Sequence, residues 1–216
     1  MNISLYGGVR QQVADTMSRL YRTRLTTTSG GNISFRLSDE LFCITPSQLD
    51  KASLTGEVIA VVGFDGTNHT PHLKLSIESE MHRRVLMARS DINAVVHAHP
   101  VYASSFTAMN KPINTHLLAE SYFLIGEPYM APYKRMGTSE LADSVVEGIR
   151  TTQVVLLENH GVLTVGTSLI EAFDLIEVLE NSARMTFITE MMKLTGTGIS
   201  PLDDQRRVEL NEMKKG

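Results

Sequence analysis

Val95-Val96-His97-Ala98-His99-Pro100 is the stretch on which the reading of this chain turns. Two apolar β-branched residues lead into His-X-His and a proline closes the segment, the composition of a buried strand and its end. Successive strand side chains point to opposite faces, so His97 and His99 project side by side from one face. Two imidazoles so placed can hold one divalent cation through nitrogen, and a catalytic zinc commonly takes three protein ligands and keeps one open position. A bare pair of this kind is more often structural than a metal site. The remaining chain has to supply a third ligand and a use for a metal.

Upstream, after Pro71, the spacing of Ile77, Met81, Val85 and Ala88 predicts a helix that leads into this strand through Asp91 and Asn93. Glu78 and His82 stand four apart on it and share a face, either as a solvated surface pair or as functional groups. Further back, Val9, Val13, Met17, Leu20 and Tyr21 predict an amphipathic helix over 9–22. Thr26 to Asn32 is a small-residue turn feeding a strand marked by Ile33, Phe35 and Leu37. Its Gly30-Gly31 pair is either a tight turn or a nest whose amides converge on an anion. Residues 41–45 and 58–64 read as further strands, the second closed by Asp65-Gly66.

Downstream, a helix runs from Pro100 to about Met109, and residues 111–137 are the least regular part, punctuated by Pro112, Gly126, Pro128, Pro132 and Gly137. Thr138 predicts the cap of a helix striped by Leu141, Val145 and Ile149. Residues 154–157 form a buried strand ending in Glu158-Asn159-His160-Gly161, and 162–165 form another. A histidine before glycine at a strand end faces a pocket or sits in a turn. Ser168 with Glu171 makes a capping box for the longest helix, striped by Leu169, Ala172, Phe173, Ile176, Leu179, Ala183 and Phe187. From Gly196 the tail is polar with few apolar anchors, loose or docked on another subunit.

At 216 residues, 42% hydrophobic and 20% charged, the chain suits a single domain of ordinary globular composition. A net charge of -4 without a basic cluster argues against nucleic-acid binding. The single Cys43 excludes an intrachain disulfide and suits a reducing compartment. No charged start precedes an apolar core at the N-terminus, and no apolar run reaches about 18 residues. The expectation is a cytoplasmic protein with no membrane and no nucleic-acid partner. Strand alternation alone points to a mixed α/β fold.

Taken in order, Gly31-Asn32-Ile33-Ser34, Ile44-Thr45-Pro46-Ser47, Ser76-X-Glu78 with His82, the His-X-His strand, Ala131-Pro132-Tyr133 with Gly137-Thr138, and Glu158-Asn159-His160-Gly161 form one pattern. It resembles the class II aldolase/adducin family over about residues 10–190. Family enzymes include L-fuculose-phosphate aldolase and L-ribulose-5-phosphate 4-epimerase. The resemblance implies a three-layer α/β/α fold around a central, mostly antiparallel sheet; residues 1–195 are read as the family domain and 196–216 as a C-terminal tail, either loose or docked on a neighbouring subunit. It implies a homotetramer with sites between subunits, and His97, His99 and His160 as ligands of Zn2+, with Mn2+ or another divalent ion as alternatives. Glu78 would be the acid/base, and Gly31, Asn32, Ser47 and Ser76 would lie where the aldolases hold a substrate phosphate.

The implied reaction is retro-aldol cleavage of a small sugar phosphate, fuculose 1-phosphate-like, or of a related keto compound. It leaves an enediolate whose charge a chelated divalent cation stabilises. Epimerisation, dehydration or decarboxylation on the same site is the alternative, and an adducin-like scaffold is a third reading. The chain departs from the aldolase pattern in three places. Ile77 replaces a second serine before the glutamate, Gln48 replaces a loop glycine, and Leu118 falls near the tyrosine that reaches a neighbouring site. His116, Tyr122 and Tyr133 are the candidates to replace that tyrosine's proton.

Overall fold

The computed structural model describes residues 3–109 and 111–214. Seven strands form one sheet in the order β3-β2-β1-β4-β7-β6-β5. These are β1 (Asn32–Arg36), β2 (Leu41–Ile44), β3 (Ala60–Gly63), β4 (Ala94–Ala98), β5 (Tyr129–Ala131), β6 (Val154–Leu157) and β7 (Gly161–Gly166). Every neighbouring pair is antiparallel except β5 with β6. The helices are α1 (Gly7–Arg22), α2 (Ser79–Ala88), α3 (Val101–Thr107), α4 (Ala119–Leu124), α5 (Ser139–Ile149), α6 (Leu169–Lys193) and α7 (Asp204–Met213).

Strand alternation separates two cores. Ile33, Cys43, Val61, Val96 and Leu156 pack with Met17 and Leu20 of α1, Phe106 of α3 and Phe173 and Ile176 of α6. Phe42, Ile44, Val95, Val155 and Leu163 pack on the other side with Met81 and Val85 of α2 and Leu141 and Val145 of α5. Both faces of the sheet are therefore covered, which explains why β2, β4, β6 and β7 are buried along their whole length. The result is a three-layer α/β/α fold with a mostly antiparallel sheet. No helix among the described residues is long and apolar enough to cross a membrane.

The caps follow the sequence. Thr138 accepts from the Leu141 amide at the start of α5, and Ser168 accepts from the Glu171 amide at the start of α6. Glu171 reaches back one residue further than a capping box, to the amide of Thr167 at 2.7 Å. Elsewhere the structure differs from expectation. Ile77 is 63% exposed and precedes α2, Ala88 is exposed, and Met81, His82, Val85 and Leu86 form the buried face. Because Glu78 takes the N-cap, the helix begins later and its two i,i+4 rows set the phase. The segment 111–137 contains a 3-10 turn (Thr115–Leu117), α4 and β5, elements too short for periodicity to reveal. The stripe of α6 runs out at Phe187, which is 47% exposed. The tail carries α7 and lies against its own chain: the Leu202 amide donates to the His116 carbonyl at 2.8 Å and Asn211 Nδ2 to the Tyr122 hydroxyl at 3.0 Å.

Close approach at the end of β4 is permitted by glycine. A Cβ on Gly161 would lie 2.5 Å from His99 Cδ2 and 2.7 Å from the Ala98 carbonyl. Gly161→Ala is expected to cost about 1–3 kcal/mol through overpacking, seen as a lower melting temperature in calorimetry. An unchanged melting temperature would show that the strand ends separate freely.

Candidate metal centre

The strand β4 occupies the middle of the sheet, with β1 on one side and β7 on the other. In register, Asn32 of β1 faces His97, and Ala98 faces Val162 of β7. The end of β4 thus meets the start of β1 and the turn between β6 and β7. Gly31 takes φ +68, and a Cβ there would lie 2.7 Å from the His97 carbonyl, so the turn before β1 requires glycine twice over. A Cβ on Gly30 would come within 2.9 Å of His99 Nδ1. In the β6–β7 turn Asn159 adopts φ 55, a conformation asparagine tolerates, and His160 follows it toward β4.

His97, His99 and His160 come together, with one ring nitrogen of each within 4.8 Å of the others. Their ring centroids are 4.7, 4.8 and 5.5 Å apart. Glu78, only 5% exposed at the N-cap of α2, closes the cluster: Oε2 lies 3.3 Å from His97 Nε2, and Oε1 lies 3.2 Å from His160 Nε2. His97 Nδ1 is bonded to the Val162 carbonyl at 2.8 Å, so it carries the proton and Nε2 presents a lone pair. That Nε2 and Glu78 Oε1 are buried without a hydrogen-bond partner.

Behind these groups runs a closed polar relay. Asn32 Nδ2 donates to Glu78 Oε2 at 2.8 Å and to Ser76 Oγ at 3.1 Å. The Asn32 Oδ1 must then accept, and it does so from His82 Nε2. His82 Nδ1 in turn accepts from Ser34 Oγ at 2.7 Å. Glu78 and His82, four apart in sequence, are joined through Asn32 rather than to each other. Asn32 therefore lines the site with its side chain fully committed to neighbouring residues.

The charges follow from these contacts. Burial opposes ionisation of Glu78, but His97, His160 and the Asn32 donor outweigh it and hold its carboxyl well below the usual range. Burial pushes His97 down and brings His99 and His82 to about 3. Glu78 thus rests as a carboxylate beside the neutral imidazoles of His97 and His99, with the bare His97 Nε2 turned toward it. Such a donor set suits a divalent cation, because imidazole binds metal only when neutral and a cation between facing lone pairs removes their repulsion.

A cavity of about 400 Å3 opens beside the histidines, lined by Gly30, Gly31, Asn32, Ser47, Lys51, Ser76, Ile77, Glu78, His99, Met136, Asn159 and His160. Every candidate site residue except His97 thus borders one space, and His97 is buried directly against Glu78. Gln48 stands at φ 63, a left-handed position at the tip of the loop after β2. His116, Tyr122 and Tyr133 do not line this cavity. His116 pairs with Glu127 at 2.7 Å, and the Tyr133 amide bonds to Glu158. Sequence reasoning missed Lys51, Met136 and the Ser34–His82 link, which depend on pairings between distant segments and leave no local signal.

The model of the class II aldolase and adducin N-terminal domain matches residues 11–187. The chain belongs to the class II aldolase and adducin family. An L-fuculose phosphate aldolase of Methanococcus maripaludis is 33% identical over 174 residues, 81% of this chain and 93% of that protein. A 3-oxo-tetronate 4-phosphate decarboxylase of Haemophilus influenzae is 28% identical over 192 residues, 86% of this chain and 91% of that one. A solved L-fuculose 1-phosphate aldolase superposes with a TM-score of 0.84 at 28% identity, covering 97% of both chains. A three-histidine cluster compatible with a divalent metal is what this class II aldolase family member brings to the comparison.

Two outcomes are expected. After mild dialysis, metal analysis should find about one divalent ion per chain, falling sharply in His97→Ala as one of three ligands is lost. Between about pH 6.5 and pH 3, unfolded imidazoles bind protons that folded His82 and His99 refuse. The unfolded state then binds more protons, so stability is full above 6.5 and lost as pH falls through this window. Melting temperatures recorded from pH 7 to pH 4 test this, and a flat profile would contradict it.

Proposed function

We propose that this protein is a divalent-metal-dependent aldolase that cleaves a carbon–carbon bond of a small ketose phosphate, fuculose 1-phosphate-like, with His97, His99 and His160 holding Zn2+ or a similar ion. The observation that carries this reading is the buried pair of facing acceptors, His97 Nε2 and the Glu78 carboxylate, at the edge of a cavity. The sugar-phosphate substrate of the related L-fuculose phosphate aldolase supports the substrate class.

A divalent cation at this position would supply Lewis-acid stabilisation of the negative charge that develops on the substrate's oxygens. The protein's own part is to hold and move protons. Glu78 Oε2 is pinned by Asn32, which leaves Oε1, without a hydrogen bond, as the atom that takes a proton and returns it to carbon after cleavage. The Ser34–His82–Asn32 relay fixes which edge of the Asn32 amide faces Glu78. Gly31, Ser47 and Ser76, with Asn32 behind them, line the end of the cavity that takes the phosphate.

The remaining proton donor is supplied from a neighbouring subunit of a homotetramer. This accounts for the absence of His116, Tyr122 and Tyr133 from the cavity of one chain and for the exposure of Tyr133 at 59%. In this reading residues 1–195 form the catalytic domain in the cytoplasm, and the tail, fastened to α4, presents that surface to the neighbour. Sedimentation should report a tetramer, and a stable, fully active monomer would count decisively against sharing. Decarboxylation on the same residues is the second reading, favoured by the similarity to the Haemophilus decarboxylase. Product analysis on a panel of ketose 1-phosphates, following dihydroxyacetone phosphate and aldehyde, separates it from aldol cleavage.

Glu78→Gln is expected to keep fold and metal while lowering turnover by roughly 10²–10⁴-fold. Glu80, two residues on, is engaged by Arg83 at 2.8 Å and Arg84 at 2.6 Å on the protein surface. Its Gln variant should retain activity and lose only a few tenths of a kcal/mol. Normal turnover in metal-loaded Glu78→Gln would remove Glu78 from the chemistry.

A further inference from the structure

Lysine is almost never fully buried unless its charge is paired. Lys51 is 2% exposed, yet it lines the cavity beside the histidines. Its Nζ donates to the Pro46 carbonyl at 2.6 Å. An ammonium has three donors, so this single neutral acceptor leaves two N–H bonds and the whole charge uncompensated. Among the described residues Lys51 makes no ion pair, and Glu78, the carboxylate of the same lining, is turned to His97 and His160.

Three loops converge to place it. The Lys51 amide donates to the Thr28 carbonyl at 3.0 Å, tying the loop after β2 to the one that carries Gly30 and Gly31. The Ser47 amide donates to the Lys74 carbonyl at 2.9 Å, tying it to the segment that carries Ser76. Ser47, Ser76 and Lys51 therefore line one cavity from two loops, with hydroxyl donors beside a buried cation and Ile77 adding no donor. We propose that Lys51 is the counter-charge of a phosphate monoester, forming with Ser47, Ser76 and Gly31 an anion subsite that makes phosphorylation of the substrate a requirement. This rests on the sugar-phosphate reading above and adds the group that enforces it. Burial brings Lys51 to about 8, so the side chain is still protonated near neutral pH.

The test uses the metal-loaded full chain, with inorganic phosphate and acetate as probes in calorimetric titrations of the wild type and Lys51→Met. Phosphate should bind the wild type at least ten-fold more tightly than the variant, with metal content unchanged, since a charge-assisted hydrogen bond is lost. Without phosphate the variant should melt no lower than the wild type, because an unpaired buried charge has been replaced by an apolar chain of similar length. Equal phosphate affinity in the two proteins overturns the proposal, as does acetate binding as tightly as phosphate with the same dependence on Lys51. Should Lys51→Met fail to fold, a crystal structure of the wild type with phosphate decides: an anion within hydrogen-bond distance of Lys51 Nζ supports the subsite, and phosphate bound elsewhere in the cavity overturns it. Lys51-dependent phosphate binding without cleavage of any ketose 1-phosphate would sink the aldolase reading alone. Cleavage with an unchanged KM in Lys51→Met would sink this one alone.

Discussion

Two acceptors face each other across 3.3 Å in the interior of this protein: the Nε2 of His97, left without a proton because Nδ1–H donates to the Val162 carbonyl, and a carboxylate oxygen of Glu78. Leaving a buried acceptor unsatisfied costs about 1–3 kcal/mol, and more when the group is charged. A single proton would satisfy one such contact. The cluster is larger than that one contact, because the His160 and His99 imidazoles also crowd the carboxylate, His160 Nε2 standing 3.2 Å from its other oxygen. A cation of more than one charge answers the whole set at once, and the arrangement around it keeps the set from collapsing.

The sheet supplies that rigidity. Because β4 is hydrogen-bonded on both edges, His97 cannot move without disturbing β1 and β7 together. Glycines at 30, 31 and 161 occupy the places where the flanking backbone comes too near His97 or His99 for any side chain. Glu78 comes from the opposite layer, at the first turn of a helix whose Met81 and Val85 are locked in the second core. Residues on three elements are thus held by packing that has nothing to do with their chemistry, the condition under which a preorganised site keeps its geometry.

Much of this was legible in the sequence, for identifiable reasons. The strand of His97 reads clearly because a period of two with β-branched residues has few competitors, and the caps at Thr138 and Ser168 are local hydrogen bonds. His160 was ambiguous on its own, since a turn histidine and a pocket histidine share the same neighbours in the chain. What sequence could not show lies in contacts across long separations. Asn32 reaches Glu78 across 46 positions and Ser34 reaches His82 across 48, so neither could be read from spacing. Lys51 sat in a stretch with the look of an ordinary polar loop. Its placement depends on bonds to the Thr28 and Pro46 carbonyls, the first of them 23 positions away. Spacing alone puts Ile77 in a helical stripe, but with Glu78 at the N-cap the helix begins only after it.

The same accounting weighs against a purely structural role for this chain. Replacing a buried ion or ion pair by apolar groups of similar volume is often neutral or stabilising. A scaffold would lose nothing by such changes at Glu78 and Lys51, both buried and both lining one cavity, or at His97, buried against Glu78. Two buried acceptors without a hydrogen-bond partner, His97 Nε2 and Glu78 Oε1, fall within one cluster of ionisable side chains, the kind of local inconsistency that marks a place where stability is given up for chemistry. The charges there also balance in a specific way. The carboxylate and the ammonium cancel each other formally but sit apart, each needing a separate partner. A divalent cation beside the first and a dianionic phosphate beside the second would leave the sum at zero while compensating both locally. A neutral sugar would leave the cation and the lysine without that compensation, and for groups as buried as Glu78 and Lys51 such an imbalance is expensive. On the proposed reading, the cavity takes a ligand that carries its negative charge at one end and its reacting oxygens at the other.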